Sequence, residues 1–468
     1  MLMSLQLIYG PSGSGKSYTL YKKIIEQSIR EPDREFIVIV PEQFTMQTQR
    51  ELVELHPNRG ILNIDVQSFL RLAWRIFEEV GVDTHTVLED TGKNLLLRRV
   101  ASRQKNDLTV LGRNFRKPGY ISQVKSIISE LKQYDVSLEE LDEQLRSGKK
   151  DALSYKLQDI RNLYEGFQEE LQGKYITSEE ILEELCYVVK KSEILKGCVV
   201  ALDGFTGFTP IQNKLLRELM QTAEKIYVTV TLDAWEDPMK KVSMHKLSYL
   251  SKKTIQQLAG AAKECGCMLE KPEVLGKEGS IRFRSAPALR FLERHLFRPG
   301  NQIYEVQDSQ KLERELSLHV ARDAKAEAEF AARTIWHLVR EENLRYRDIA
   351  VITGDMESFG DHMKKELQQK GIPCFIDRTR KLLLNPLVEF LRAALQIAAK
   401  SFRYESMFRY LRTGLAGLKK DEIDRLENYV LANGISSRRR WEEPWDEQEE
   451  PFKEKILPPL LAFVDQVR

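Results

Sequence analysis

The sequence predicts an α/β fold in which a parallel sheet is interrupted by a long helical insertion. A second, shorter strand–helix series and a run of helices follow. Three observations lead there. Short apolar runs alternate with helical patterns on either side of residues 91–193. Between those limits strand signals fade and apolar residues recur at helical spacing. Strand–helix alternation then resumes near residue 316.

Residues 4–9 (SLQLIY) and 35–40 (EFIVIV) read as buried strands joined by the helical pattern YTLYKKIIEQSI. ILNIDVQ leads in the same way into the helical SFLRLAWRIFEEVG. KNLLLRRVASRQ, YISQVKSIISELKQYDV, SYKLQDIRNLYEGFQEEL and SEEILEELCYVVKKS then carry helical spacing, an all-helical insertion of the size of one domain. Strand patterns return with CVVALDGF and KIYVTVTLD. Residues 236–310 give mixed signals. LSLHVA, DIAVIT and IPCFID read as three strands separated by the helices AKAEAEFAARTIWHLVREE and SFGDHMKKELQQKG, and from Pro386 onward the pattern is helical. The expected division is one α/β domain built from 1–90 and 194–310, an insertion at 91–193, the start of a second α/β domain at 311–385, and an incomplete helical region at 386–468.

The 468 residues are 42% hydrophobic and 30% charged, a globular balance. Lys plus Arg number 72 against 70 for Asp plus Glu, so a nucleic acid would have to be met by a local basic groove. No apolar stretch approaches the length of a membrane span, and a signal-peptide pattern is missing. The five cysteines (186, 198, 265, 267 and 374) include no CxxC pair; reduced thiols in a cytoplasmic chain are expected.

Residues 10–17, GPSGSGKS, fit the phosphate-loop pattern GxxxxGK[ST] at every fixed position: Gly10, Gly15, Lys16 and Ser17. Gly13 and Gly15 permit the backbone after Pro11 to turn successive N–H groups, including those of Ser12 and Ser14, toward phosphate oxygens. Lys16 supplies charge to the β and γ phosphates, and the Ser17 hydroxyl is a Mg²⁺ ligand. ATP with Mg²⁺ is therefore the expected ligand. Hydrolysis also needs a strand ending in Asp, which holds Mg²⁺ through water, and a carboxylate that activates the attacking water. VVALD, ending in Asp203, supplies the first, with Ser17 as its partner at the metal. Gly204 follows where a general base would stand, and losing such a base typically costs about 10²–10⁴ in rate. Asp233, after the next strand, is the alternative carboxylate.

The phosphate loop together with VPEQF (40–44), SFL (68–70), LDGF (202–205) and FTPIQ (208–212) resembles the AddB family, the B subunits of bacterial AddAB helicase–nucleases. The resemblance covers the whole chain and implies RecA-like α/β domains of the UvrD type. By that likeness Asp203 and Gln212 fall at the helicase Asp-Glu pair and its trailing Gln. Arg284 falls in a segment similar to one that contacts nucleotide, and Gln67 replaces a His. Gly204 replaces the catalytic Glu, the Gly-Asp-x-x-Gln segment is missing after YVTVTLD, and the last motor motifs find no counterpart. The implied role is a non-motor subunit in double-strand-break processing and recombination. AddA would supply the motor, and single-stranded and double-stranded DNA, including Chi, would be bound. A nuclease with its own Mg²⁺ and a 4Fe-4S cluster would lie beyond residue 468, so that this chain is expected to be an N-terminal fragment.

Thr45, Gln47, Gln67, Ser68 and Arg71 follow strands at the edge where a single strand would cross such a fold, and are the expected DNA contacts. Phe69 and Trp74 share the apolar spacing of an amphipathic helix and read as core. Three other readings compete with the subunit reading; one is a pure interaction scaffold with a vestigial loop, against which the retained Gly10, Gly15, Lys16 and Ser17 argue. An autonomous DNA-dependent ATPase or helicase motor would need a complete motor set. A small-molecule kinase would be more compact.

Overall fold

Residues 36–40 alternate strictly between two buried layers. Phe36, Val38 and Val40 pack with Leu20, Ile24 and Leu52 on one side, and Ile37 and Ile39 pack with Leu72, Ile76 and Leu215 on the other. A strand covered on both faces reads as an unbroken apolar run, as this one does. The computed structural model describes residues 3–467 except 83–85, 106, 116, 148–150, 173, 299, 377–381 and 401. It divides into two compact units, Met1–Ser317 and Leu318–Arg468.

In the first unit the chain runs β1 (Ser4–Gly10), α1 (Lys16–Arg30), β2 (Phe36–Ile39), α2 (Thr45–Leu55), β3 (Ile64–Gln67) and α3 (Phe69–Val80). After the insertion come β6 (Val199–Leu202), α9 (Pro210–Met220), β7 (Lys225–Thr231), α10 (Tyr249–Glu264), β8 (Met268–Leu269), β9 (Glu273–Val274), α11 (Pro287–His295) and α12 (Ser309–Glu315). The sheet is parallel with order β3-β2-β6-β7-β1-β8, and β9 also pairs with β1. One strand, β7, thus separates the phosphate-loop strand β1 from the Asp203 strand β6. Ligands of open α/β sheets bind beyond the carboxyl ends of such strands, where both the loop and Asp203 lie.

The insertion comprises β4 (Thr86–Leu88), α4 (Asp90–Arg103), α5 (Pro118–Gln133), α6 (Leu138–Ser147), α7 (Ala152–Leu171), β5 (Tyr175–Thr177) and α8 (Ser178–Val188). It is not all-helical, because β4 and β5 pair in parallel, Val87 opposite Ile176. Three residues per strand are too few for a periodicity to register, and this pair joins the outgoing and returning chain. Leu97, Val100, Val124, Leu163 and Phe167 form the insertion's own core. The fully buried Asp159 ties its α4–α5 loop, accepting from the backbone N–H groups of Thr109, Val110 and Leu111 at 2.8–2.9 Å.

The second unit holds α13 (Ala324–Arg340), α14 (Met356–Gln369), α15 (Pro386–Lys400), α16 (Tyr404–Leu411), α17 (Lys420–Ala432), α18 (Arg438–Glu442) and α19 (Glu450–Val467). The last five enclose a core centred on Phe402, Met407, Leu426 and Trp441. The three strands expected at 316–321, 348–353 and 372–377 do not form among the described residues: those segments lack a paired ladder. Ile349 and Ile372 reach the α13–α14 core, but Leu318, Val320, Ile352 and Phe375 are at least 90% exposed. A buried parallel strand needs cover on both faces and a neighbour for its N–H and C=O groups, which these segments lack.

Candidate nucleotide site

The phosphate loop crosses from β1 into α1 through two left-handed glycines, Gly13 (φ 75°) and Gly15 (φ 89°). A Cβ at Gly13 would lie 2.6 Å from Ser280 Oγ, so glycine is required for space as well as for backbone angle. The Ser280 hydroxyl donates to the carbonyl of Ser12 at 3.0 Å, and the Arg282 N–H donates to the carbonyl of Gly13 at 3.1 Å. A strap after β9 therefore lies against the loop. Its residues Ile281 and Arg282 join Ser12, Gly13, Gly15, Lys16, Ser17, Tyr18, Asp203 and Gly204 in lining a cavity of about 730 Å³. That is within the range of small-molecule sites.

Lys16 donates from Nζ to the carbonyls of Gly10 (3.1 Å) and Pro11 (2.9 Å). Burial pulls its ammonium below the ordinary lysine range, Asp203 and Glu293 oppose that, and Arg282 adds to it. Among the described residues, the buried Ser14 hydroxyl has no hydrogen-bond partner. A glycine-lined loop and two cations, Lys16 and Arg282, around one cavity fit an anionic phosphate group with a divalent metal. Ser17 and Asp203 both line this cavity.

Asp203 is the one carboxylate among the described residues of the cavity wall. It accepts at Oδ2 from the Tyr21 hydroxyl (2.7 Å) and at Oδ1 from the Thr229 hydroxyl (2.5 Å). Gly204 beside it adopts φ 78°. Asp233 lies outside the wall and accepts at Oδ2 from Arg298 Nε (2.9 Å) and Nη2 (2.7 Å). Among the described residues, no group of three or more His, Cys, Asp and Glu side chains is placed to hold a metal ion, and no helix is long and apolar enough to cross a membrane.

Gln212 and Arg284 stand elsewhere. The Gln212 side chain accepts from the N–H of Thr209 at 2.9 Å, completing a capping box at the start of α9. Arg284 is exposed on the strap and is not in the cavity wall, which Arg282 reaches instead. Tyr21, Thr229 and Arg282 escaped the sequence reading. Their signals were present: Tyr21 follows Ser17 by four residues on one helix face, and Thr229 is a hydroxyl in the buried centre of β7.

The expected DNA edge is spread over β3, α2 and α3. Thr45 and Ser68 are buried and serve the fold: Thr45 Oγ1 donates to the carbonyl of Glu42, and Ser68 Oγ accepts from the N–H of Arg71 as a helix cap. Gln47 donates to Glu51 (2.8 Å), Gln67 to Asp65 (2.7 Å) and Arg71 to Glu42 (2.9 Å). Arg75 also pairs with Asp65. Phe69 is core, in contact with the rings of Phe205 and Phe208.

Residues 7–293 match the family model described as "ADDB, N-terminal", and residues 284–456 match "UvrD-like helicase C-terminal domain". A protein of Lachnoclostridium phytofermentans, named as the B subunit of an ATP-dependent helicase/deoxyribonuclease, is 46% identical over 449 residues, which are 95% of this chain and 38% of that protein. Proteins of the same name from Clostridium novyi (35% identical, 100% of this chain and 41% of the relative) and Clostridium tetani (36%, 95% and 38%) are similar in the same way. The chain thus spans about two fifths of the length of these curated relatives. Matched over more than half its length by the first model, with its parallel sheet and phosphate loop inside the matched region, the chain belongs to the AddB N-terminal family.

Proposed function

We propose that this chain is the nucleotide-holding, non-motor part of the B subunit of an ATP-dependent helicase–deoxyribonuclease. In this reading it binds ATP with Mg²⁺ and does not turn it over. Ser12 to Ser17 and Arg282 hold the phosphates, Ser17 and Asp203 hold the metal, and Gly10 and Pro11 shape the loop. Bound Mg²⁺ would neutralise phosphate charge. The observation that carries the reading is the cavity wall itself: it has a full phosphate cradle, and among the described residues Asp203 is its single carboxylate, with both oxygens bonded to hydroxyls.

The names of the relatives support a larger assembly. We assign the helicase motor to an AddA partner, the workplace to the cytoplasm, and the overall task to double-strand-break processing with recognition of Chi. The nuclease, its Mg²⁺ and a 4Fe-4S cluster are assigned to the part of the relatives that this chain does not match. Single-stranded DNA would cross the edge that carries Gln47, Gln67 and Arg71. Each of those side chains is engaged by a carboxylate, so phosphate must displace Glu51, Asp65 or Glu42, which predicts weak, salt-sensitive binding.

The test is nucleotide binding and phosphate release by this chain with Mg²⁺, with and without single-stranded DNA, beside Lys16→Ala. Binding that is lost in Lys16→Ala, without turnover in either protein, is the expected result. DNA-stimulated turnover that vanishes with Lys16 would establish the autonomous motor instead.

A further inference from the structure

Three hydroxyls gather around Asp203. Tyr21 and Thr229 donate to it directly, and Thr48 Oγ1 lies 3.4 Å from the Tyr21 oxygen. An ionised carboxylate only accepts, so the Tyr21 proton points at Asp203 and the Thr48 hydroxyl is left to donate to Tyr21. Tyr21, Thr48, Asp203 and Thr229 are each no more than 5% exposed, which removes water as a competitor for these bonds.

The placement is specific. Tyr21 sits on α1 four residues after Ser17, so one helix face carries both the metal-side hydroxyl and the group that anchors the carboxylate. The direct bonds take one acceptor position on each oxygen of Asp203, and a carboxylate has about four. The positions left over belong to a group that lines the cavity with Ser17.

We propose that Tyr21 is a positioning residue for the divalent cation: by anchoring Oδ2 it fixes the rotation of the Asp203 carboxylate and so sets how much Mg²⁺ strengthens nucleotide binding. This rests on the nucleotide reading of the cavity.

The experiment titrates the 468-residue chain with a fluorescent ATP analogue, once in Mg²⁺ and once in EDTA, using wild type, Tyr21→Phe and Lys16→Ala, with a thermal melt of each. Tyr21→Phe is expected to keep its affinity in EDTA within about twofold and to lose about fivefold of the gain from Mg²⁺, the size of one hydrogen bond. A Mg²⁺ gain equal to that of wild type would overturn the proposal. An equal loss in both buffers would overturn it too, because a general packing defect has no preference for metal. If Tyr21→Phe does not fold, Thr48→Val takes its place: a reduced Mg²⁺ gain supports the proposal and an unchanged one refutes it. Wild type binding no better than Lys16→Ala would remove the nucleotide reading itself, a result distinct from binding with an unaltered response to Mg²⁺.

Discussion

Gly204 stands where the likeness expects a catalytic Glu, and it differs from that residue in backbone as well as in side chain. Its φ of 78° lies where a residue with a Cβ is strained by about 1–2 kcal/mol. Space is available, since an added Cβ would meet Pro41 Cδ at 3.5 Å and Phe44 Cδ2 at 3.9 Å. Gly204→Glu is therefore expected to fold, to melt a few degrees lower, and to release no more phosphate than wild type. Phosphate release and a melting curve on the same preparation check this, and turnover raised tenfold or more would mean that only the side chain was missing. The phosphate loop was legible because its chemistry prescribes residue types at fixed spacing. Arg282 was not, because the strap comes more than 260 residues later and only the folded chain brings it to Gly13.

At the level of elements, α9 separates two roles for one residue. Gln212 matches a helicase position by likeness, whereas its side chain bonds to Thr209 in a reciprocal cap. Removing one partner of such a cap costs about 0.5–2 kcal/mol. Gln212→Ala should lower the melting temperature and leave the affinity for the ATP analogue unchanged; an affinity loss of tenfold at constant stability would return Gln212 to the nucleotide. The central strands could be read from sequence because both faces are apolar. The two- and three-residue strands β4, β5, β8 and β9 could not, since pairing partners and not periodicity define them. The strand patterns at 316–321, 348–353 and 372–377 have no ladder among the described residues, because the pattern reports the propensity to be covered, while the ladder needs the cover itself.

On the scale of the whole chain, the near balance of 72 basic and 70 acidic residues recurs locally, with Arg71, Gln67 and Gln47 each facing a carboxylate. Function is thus concentrated in placed groups, and those of the cavity all fall between Ser12 and Arg282, inside the unit Met1–Ser317. That unit has its own sheet, two core layers and the insertion core, enough for an independent fold. A chain ending at Ser317 is expected to melt in one cooperative transition and to bind the ATP analogue with Mg²⁺ within about twofold of the 468-residue chain. The unit Leu318–Arg468 expressed alone, with Leu318, Val320, Ile352 and Phe375 exposed, should bind a hydrophobic dye strongly. Titration and dye fluorescence on the two pieces read both outcomes. An affinity lost more than tenfold in the first piece would mean that residues after Ser317 hold the nucleotide site in shape, which the wall of the cavity does not require.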